Sequence, residues 1–417
     1  MRKIGVLTYL REYANLGTNM QSYSTLQAIR GLYPGDRVEL LDYAPRRGKR
    51  RPYLSQLSLR SLKNDFVRMA KYDDFFENML TLSAERLVSP DPARALEFIK
   101  RQEYQAIYVG ADTVLELKGA GQDALTPYWL DRSIDCKKFL IAASSHNLVY
   151  SSLSAAQIAK MQEVLDGFAL LGVRDDATRR LLSHFVPAGD PRLQLVPDPT
   201  FTYDIDYRQV ESYLARRGFL RTKPVVCLHL LRDTSWGRQL SERFRKLGFL
   251  VASLRPAYWA DLLFTDLSPF EQVGLYRYFD LVITHRFHDA IFCFKNHTPV
   301  IFFPEYVSDV TPFHESKTLT LFKGFGLDGA CYLEDKDQIT PEHLMAGYRH
   351  AVEGFRARDA LIAELLVQFK ARYLEFAKLC RSHGAGTDAP GTGSAPGRMT
   401  LQGAEEEHED CDHLSIA

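Results

Sequence analysis

The chain has 417 residues, more than one ordinary hydrophobic core organises, so two domains are expected. Hydrophobic residues make up 46% and charged residues 25%, a globular composition, and a formal net charge of zero gives a nucleic-acid partner no general electrostatic support. Six cysteines stand singly with no C-x-x-C pair, which argues against a disulfide framework or a zinc site, and no stretch approaches the roughly 20 apolar residues of a membrane span.

The pattern then alternates strand and helix. Residues 3–8 read as a strand followed by a Gly/Asn-rich loop, and 18–32 as an amphipathic helix that Thr18 or Asn19 would cap. A strand follows at 37–41 and a long charged helix at 59–80. Further strands are expected at 105–109, 138–142, 168–173 and 193–196, with helices at 155–166 and 175–184. Residues 197–207, with Pro197 and Pro199, read as a linker. The alternation restarts with strands at 225–231, 249–254, 281–283 and 300–303 and helices at 237–247 and 269–278. Residues 340–381 carry apolar side chains at helical spacing, and from 383 Gly, Pro, Ser, Thr and acidic residues dominate, which reads as a disordered tail. The fold class is therefore α/β: two doubly wound, Rossmann-like domains at 1–205 and 206–340, helices at 341–382 and a tail at 383–417. Ligands of such sheets bind beyond the carboxyl ends of the strands, so two such edges are expected to face a cleft.

The densest chemistry lies where the strand at 281–283 runs straight into a helix. Thr284, His285, Arg286, Phe287 and His288 fill the junction, and a second apolar run, 290–294, follows at once. Arg286 is a permanent cation and His288 a titratable acid/base two residues on, so on a strand end both would project to the same side, with His285 opposite. The helix start behind them adds free N–H groups and partial positive charge. Together they describe an anion site with a proton donor.

Several segments resemble the polysaccharide pyruvyl transferase family. Ile4-Gly-Val-Leu-Thr-Tyr9 and Asn15-Leu-Gly-Thr-Asn-Met-Gln-Ser-Tyr-Ser-Thr-Leu-Gln27 are similar to its first strand, its N-x-G loop and its LQ-x-Y-x-L helix. Residues 38–43 resemble its second strand, Val109-Gly-Ala-Asp-Thr-Val114 its G-S-D-Q-V-W segment, and residues 137–144 its K-x-x-Y-A-A-S strand. Val173-Arg-Asp-Asp-Ala177, Asp198-Pro-Thr200 and Thr284-His-Arg-Phe-His-Asp-Ala-Ile291 resemble its V-R-D/E, D-P-T and S-R-F-H motifs, in the family's order. Thr113, Leu115 and Asp289 depart from the pattern. The resemblance implies a GT-B-like two-domain fold and transfer of the enolpyruvyl group of phosphoenolpyruvate onto a sugar of a polysaccharide, or of its lipid- or nucleotide-linked precursor, as a pyruvate ketal.

That chemistry assigns expected roles. Arg286 would clamp a carboxylate or phosphate with its planar fork, and His288 would protonate the methylene carbon. Arg174, after the strand at 168–173, would supply a second cation. Asp112 would orient or deprotonate an acceptor hydroxyl, and Asn15 and Gly17 would contact the ligand. Against each stands a structural reading: a pair satisfying helix and loop carbonyls for Arg286 and His288, a helix or turn cap for Asp112, a turn for Asn15 and Gly17, an ion pair with Asp175 or Asp176 for Arg174. The basic run Arg46-Arg-Gly-Lys-Arg-Arg51 is either a solvated loop or a contact for anionic lipid or a lipid-linked acceptor. Residues 1–9 are too short an apolar run for a signal peptide, so the expected location is cytoplasmic, at most at the inner face of the membrane. No cofactor, metal or nucleic acid is expected. The rival functions are a GT-B-like glycosyltransferase using a nucleotide sugar and a non-catalytic sugar- or anion-binding protein of the same fold.

Overall fold

A computed structural model of the chain describes residues 1–384 except 14, 47–58, 118–122, 147, 231–233, 305–316 and 334–339. The tail and most of the basic run, Arg47 to Arg51, lie outside the described residues. The described chain forms one compact unit, Met1–Gly384, built on two parallel sheets.

The first half runs β1 (Lys3–Leu7), α1 (Leu16–Leu32), β2 (Arg37–Ala44), α2 (Leu59–Asp74), β3 (Leu82–Val88), α3 (Pro92–Arg101), β4 (Ala106–Val109), β5 (Lys137–Ala143), α4 (Ala155–Asp166), β6 (Phe168–Val173), α5 (Asp176–Leu182) and β7 (Leu193–Leu195). The second runs α6 (Tyr207–Arg216), β8 (Val225–His229), α7 (Thr234–Lys246), β9 (Leu250–Ser253), β10 (Leu262–Leu263), α8 (Pro269–Leu275), β11 (Leu281–Thr284), α9 (Phe287–Lys295) and β12 (Val300–Phe302). It ends in α10 (Lys317–Gly324), α11 (Asp328–Cys331), α12 (Pro341–Ala357) and α13 (Asp359–Gly384). Strand order is β3-β2-β1-β4-β5-β6-β7 in one sheet and β10-β9-β8-β11-β12 in the other. In each sheet the direction of winding reverses beside its first strand, between β1 and β4 and between β8 and β11. Such switch points open a crevice at the strands' carboxyl ends.

Side-chain alternation explains why both faces of the first sheet are dry. Ile4 and Val6, Tyr108, Phe139 and Ile141 enter one apolar cluster with α1, while Leu7, Ile107, Val109 and Leu140 enter another on the opposite face. The first cluster continues without a break into the second sheet through Val226, Ile283 and Phe292. The last helix, α13, returns to pack on α1, β5 and β6, whereas α12 packs on α7 and β12.

Three differences from the sequence reading have local causes. Strand β3 and helix α3 went unassigned because β3 is largely half-buried and exposed at the sheet edge, with charged Glu85 and Arg86 in it. The expected helix at 59–80 ends as an α-helix at Asp74 and finishes in a π turn, Phe75–Met79, that buries Phe75 and Phe76. The expected linker is not loose: Pro199, Thr200 and Phe201 are buried in a 3-10 turn, and Asp206 then caps α6. Among the described residues, no helix is long and apolar enough to cross a membrane.

Candidate active site between the two sheets

Strand β11 ends at Thr284, so the alternation that would put Arg286 and His288 on one side stops before reaching them. Arg286 is instead the N-cap residue of α9, and His288 lies in the helix's first turn. The imidazole of His288 reaches the first half of the molecule, where Nε2 lies 3.5 Å from Asp198 Oδ2. Its ring packs directly on the start of α1: a Cβ on Gly17 would stand 2.0 Å from His288 Nδ1, so only glycine allows this approach. The starts of two helices, one from each half, thus meet at one histidine.

Asp198 organises the first-half side. Its Oδ2 accepts hydrogen bonds from Gln21 Nε2 (2.7 Å) and Arg174 Nη1 (3.0 Å), and its Oδ1 accepts from the Thr200 N–H and hydroxyl. Burial alone would raise its pKa. His288, Arg174 and Thr200 outweigh burial and hold the carboxyl well below the usual range, so it is an ionised anchor. Arg174, at the end of β6, has a side chain only 3% exposed. One of its nitrogens is spent on Asp198, while Nε and Nη2 are buried without a hydrogen-bond partner among the described residues. Buried donors in native structures are nearly always satisfied, so two on one guanidinium mark a place for an acceptor.

A second cation joins it. Lys317 Nζ and the Arg174 guanidinium both lie over the Phe287 ring, at 5.2 and 5.3 Å from its centroid. Burial first, and then the charge of Arg174, push the Lys317 amine down to about 8, against the opposing pull of Asp112, Asp175 and Asp198. Nothing at the start of α10 flags Lys317 in the sequence; only the fold brings it to this place.

Asp112 faces the same region from the first switch point. It has φ +67°, an uncommon conformation for a residue with a side chain, and follows Gly110, where a Cβ would strike the Ile141 carbonyl oxygen at 2.1 Å. Its Oδ2 accepts from Thr18 Oγ1 at 2.6 Å, tying the loop after β4 to the first turn of α1, and its Oδ1 accepts from the Thr113 N–H. Asn15 caps α1, accepting from the Thr18 N–H. Of the residues expected from sequence, Gly17, Arg174 and His288 are thus assembled around Asp198, and Asn15 and Asp112 meet on Thr18, the residue after Gly17. Asp198 and Lys317 were not singled out as site residues. The D-P-T match drew attention to Asp198 only as a segment closing the first half.

The sequence model of the polysaccharide pyruvyl transferase family matches residues 15–305. The chain belongs to this family. It is therefore a transferase whose family pairs a pyruvyl donor with a sugar acceptor. No curated protein matches it in sequence. Among solved structures, a glycosyltransferase from Rickettsia africae is 10% identical with TM-score 0.50, matching 91% of this chain and 98% of its own, a likeness of fold in keeping with a GT-B-like arrangement. A putative UDP-N-acetylglucosamine 2-epimerase from Listeria monocytogenes is 10% identical with TM-score 0.49, covering 87% and 91%. A Streptomyces glycosyltransferase complexed with thymidine diphosphate is 13% identical with TM-score 0.48, covering 92% and 100%.

The departure of this pyruvyl transferase family member at Asp289 has a structural account. The carboxylate is 2% exposed at the second switch point, behind the start of α9. It accepts hydrogen bonds from Tyr276 (2.7 Å) and Thr284 (2.7 Å), and His229 Nδ1 lies 2.6 Å from it. Burial opposes its charge, but His229, Arg286 and Thr284 hold its pKa well below the usual range. His229 is itself pushed down by burial despite Asp289, so the pair is a neutral imidazole donating to a carboxylate. The Arg286 charge bears on this group, and burial, reinforced by that charge, pushes His285 down to about 3. Asp289 ties β8, β11 and the helix preceding β11 to α9, and leaves the His288–Asp198–Arg174 side untouched.

Proposed function

We propose that the protein moves the enolpyruvyl group of phosphoenolpyruvate onto a sugar and closes it as a pyruvate ketal. The observation that carries this reading is Arg174, two of whose buried nitrogens have no partner among the described residues and stand beside His288 and Lys317 between the two sheets. A donor with a carboxylate and a phosphate needs several cations, and its planar oxyanions suit a guanidinium fork. Arg174 and Lys317 hold the donor's anionic groups at the first-half side, Arg286 at the other flank of the α9 start, and Asp198 fixes Arg174 and His288 in place.

Addition begins when a proton reaches the methylene carbon, leaving an oxocarbenium centre at C2. His288 is the donor of that proton, with Asp198 as counter-ion to its charged form. One sugar hydroxyl attacks C2 and loses its proton towards Asp112. Phosphate then departs with its bonding electrons, a second hydroxyl of the same sugar attacks, and the ketal closes. Two hydroxyl protons are released, one balancing the new methyl group and the other carried by phosphate.

The test is phosphate release from phosphoenolpyruvate in the presence of a saccharide acceptor. His288→Gln should retain donor binding and lose turnover by roughly 10² to 10⁴, the usual weight of a positioned proton donor. Full turnover in that variant removes His288 from the chemistry. The nucleotide-sugar reading finds less support, because Arg174 and Lys317, gathered over Phe287 beside Asp198, suit a compact dianion.

A further inference from the structure

A second cavity opens beside this anion site. It has a volume of about 470 Å³ and lies at the carboxyl ends of β1, β2 and β4. That size is typical of small-ligand pockets, which span roughly 300–1,000 Å³. Asp112 and Thr18 line it on the side towards His288, so a molecule inside would touch the same carboxylate that borders the donor.

Its chemistry is distinctive. Three tyrosines form an aromatic wall, with Tyr128 edge-on to Tyr9 at 4.9 Å between centroids and tilted to Tyr43 at 5.7 Å. Tyr9 donates to Glu116 and Tyr43 to the Ser89 carbonyl. Tyr128 is 2% exposed, yet among the described residues its hydroxyl has no hydrogen-bond partner, and neither does that of Thr126 beside it. The charges that act on the Tyr128 hydroxyl include those of Asp112 and Glu12, both of which line the cavity. Buried hydroxyls left unpaired in a walled space wait for a polar ligand. Three carboxylates, Glu12, Asp112 and Glu116, face one guanidinium, Arg46, so the described lining repels anions.

We propose that this cavity is the subsite for the acceptor's reacting sugar, an uncharged pyranose ring that stacks on the tyrosines and bonds to the Tyr128 and Thr126 hydroxyls. Uronic acids and phosphorylated sugars are rejected there by Glu12 and Glu116. The label "acceptor" rests on the pyruvyl-transfer reading; the binding of a neutral sugar does not.

Saturation-transfer NMR tests it directly, using the methyl glycosides of glucose, galactose and mannose against those of their uronic acids, without donor. At least one neutral glycoside should bind the wild type roughly 10-fold more tightly than its uronide. Tyr128→Phe, which keeps the ring, should weaken the neutral glycoside by about 3- to 10-fold, the weight of one hydrogen bond. Glu116→Gln should narrow the gap between sugar and uronide. Uronides that bind as well as neutral glycosides, an unaffected Tyr128→Phe protein, or a wild type that binds no neutral glycoside would each overturn the proposal. Thermal stabilisation by phosphoenolpyruvate, measured on the same samples, reports on the donor reading separately: it fails or holds irrespective of the sugar result.

Discussion

Lys317 shows what a single residue's placement does to its chemistry. Its amine titrates at about 8 in the folded chain, below the roughly 10.4 of a free lysine. Between these values the unfolded chain binds the extra proton, so the charge works against folding below pH 8, and this cost fades as pH rises towards 10.4. Lys317→Met should therefore raise the melting temperature of the ligand-free protein at pH 7 while weakening phosphoenolpyruvate binding. Wild-type donor affinity should fall as pH rises through about 8, and the variant should lose that step; an unchanged step would place the titration elsewhere. A lysine opening α10 gives no sequence signal of this kind, because the shift arises from Arg174 and burial, both products of tertiary structure. Arg174 was visible only as a basic residue after a strand, with Asp175 and Asp176 as equally plausible partners. Its pairing with Asp198, 24 residues on, depends on how the 3-10 turn at Pro199–Thr202 folds back.

At the scale of elements, the start of α9 is the part on which the site depends. Phe292, Cys293 and Phe294 are fully buried and hold the helix from behind, with Phe294 stacked on Phe355, tilted to Phe325 and edge-on to Phe322. Phe294→Ala should cost about 3–5 kcal/mol in denaturant unfolding; a loss below about 1 kcal/mol would mean that α9 is held by its start alone. Asp289→Ala leaves His229, Tyr276 and Thr284 without their shared acceptor, and a loss of about 3 kcal/mol or more is expected. Gly17→Ala is different in kind. Its methyl group meets the His288 ring, so it should displace the imidazole and reduce turnover more than it lowers the melting temperature. The strand-to-helix junction itself was legible, because an apolar run, a polar break and a second apolar run admit few other folds. Which way its side chains point was not, because strand alternation ends at Thr284 and Arg286 and His288 follow helix geometry instead.

For the molecule as a whole, the alternation of apolar runs was enough to read two doubly wound sheets. Periodicity reports burial, and buried parallel strands bury both faces. What periodicity does not carry is the meeting of the two sheets, where Gly17, Asp198 and His288 come from segments more than 85 residues apart in the chain. The buried carboxylates there also set the acid limit of stability. Asp198 and Asp289 have folded pKa values below the unfolded value of about 3.9, so their contribution is complete above that pH and lost as pH falls below it. His229, with its pKa lowered, adds a loss of stability as pH falls from about 6.5 towards its folded value. The urea midpoint should decline from pH 7 to 5 and more steeply below 4, and Asp289→Asn should flatten the lower part of that curve; a midpoint independent of pH from 7 to 4 would contradict this assignment of charge. The central claim is that the cations gathered on Asp198 bind phosphoenolpyruvate. Calorimetric titration of wild type and Arg174→Met with phosphoenolpyruvate and with UDP-glucose tests it most directly. The expected result is saturable phosphoenolpyruvate binding that Arg174→Met removes, with no binding of the nucleotide sugar; UDP-glucose binding to a wild type that ignores phosphoenolpyruvate would contradict it.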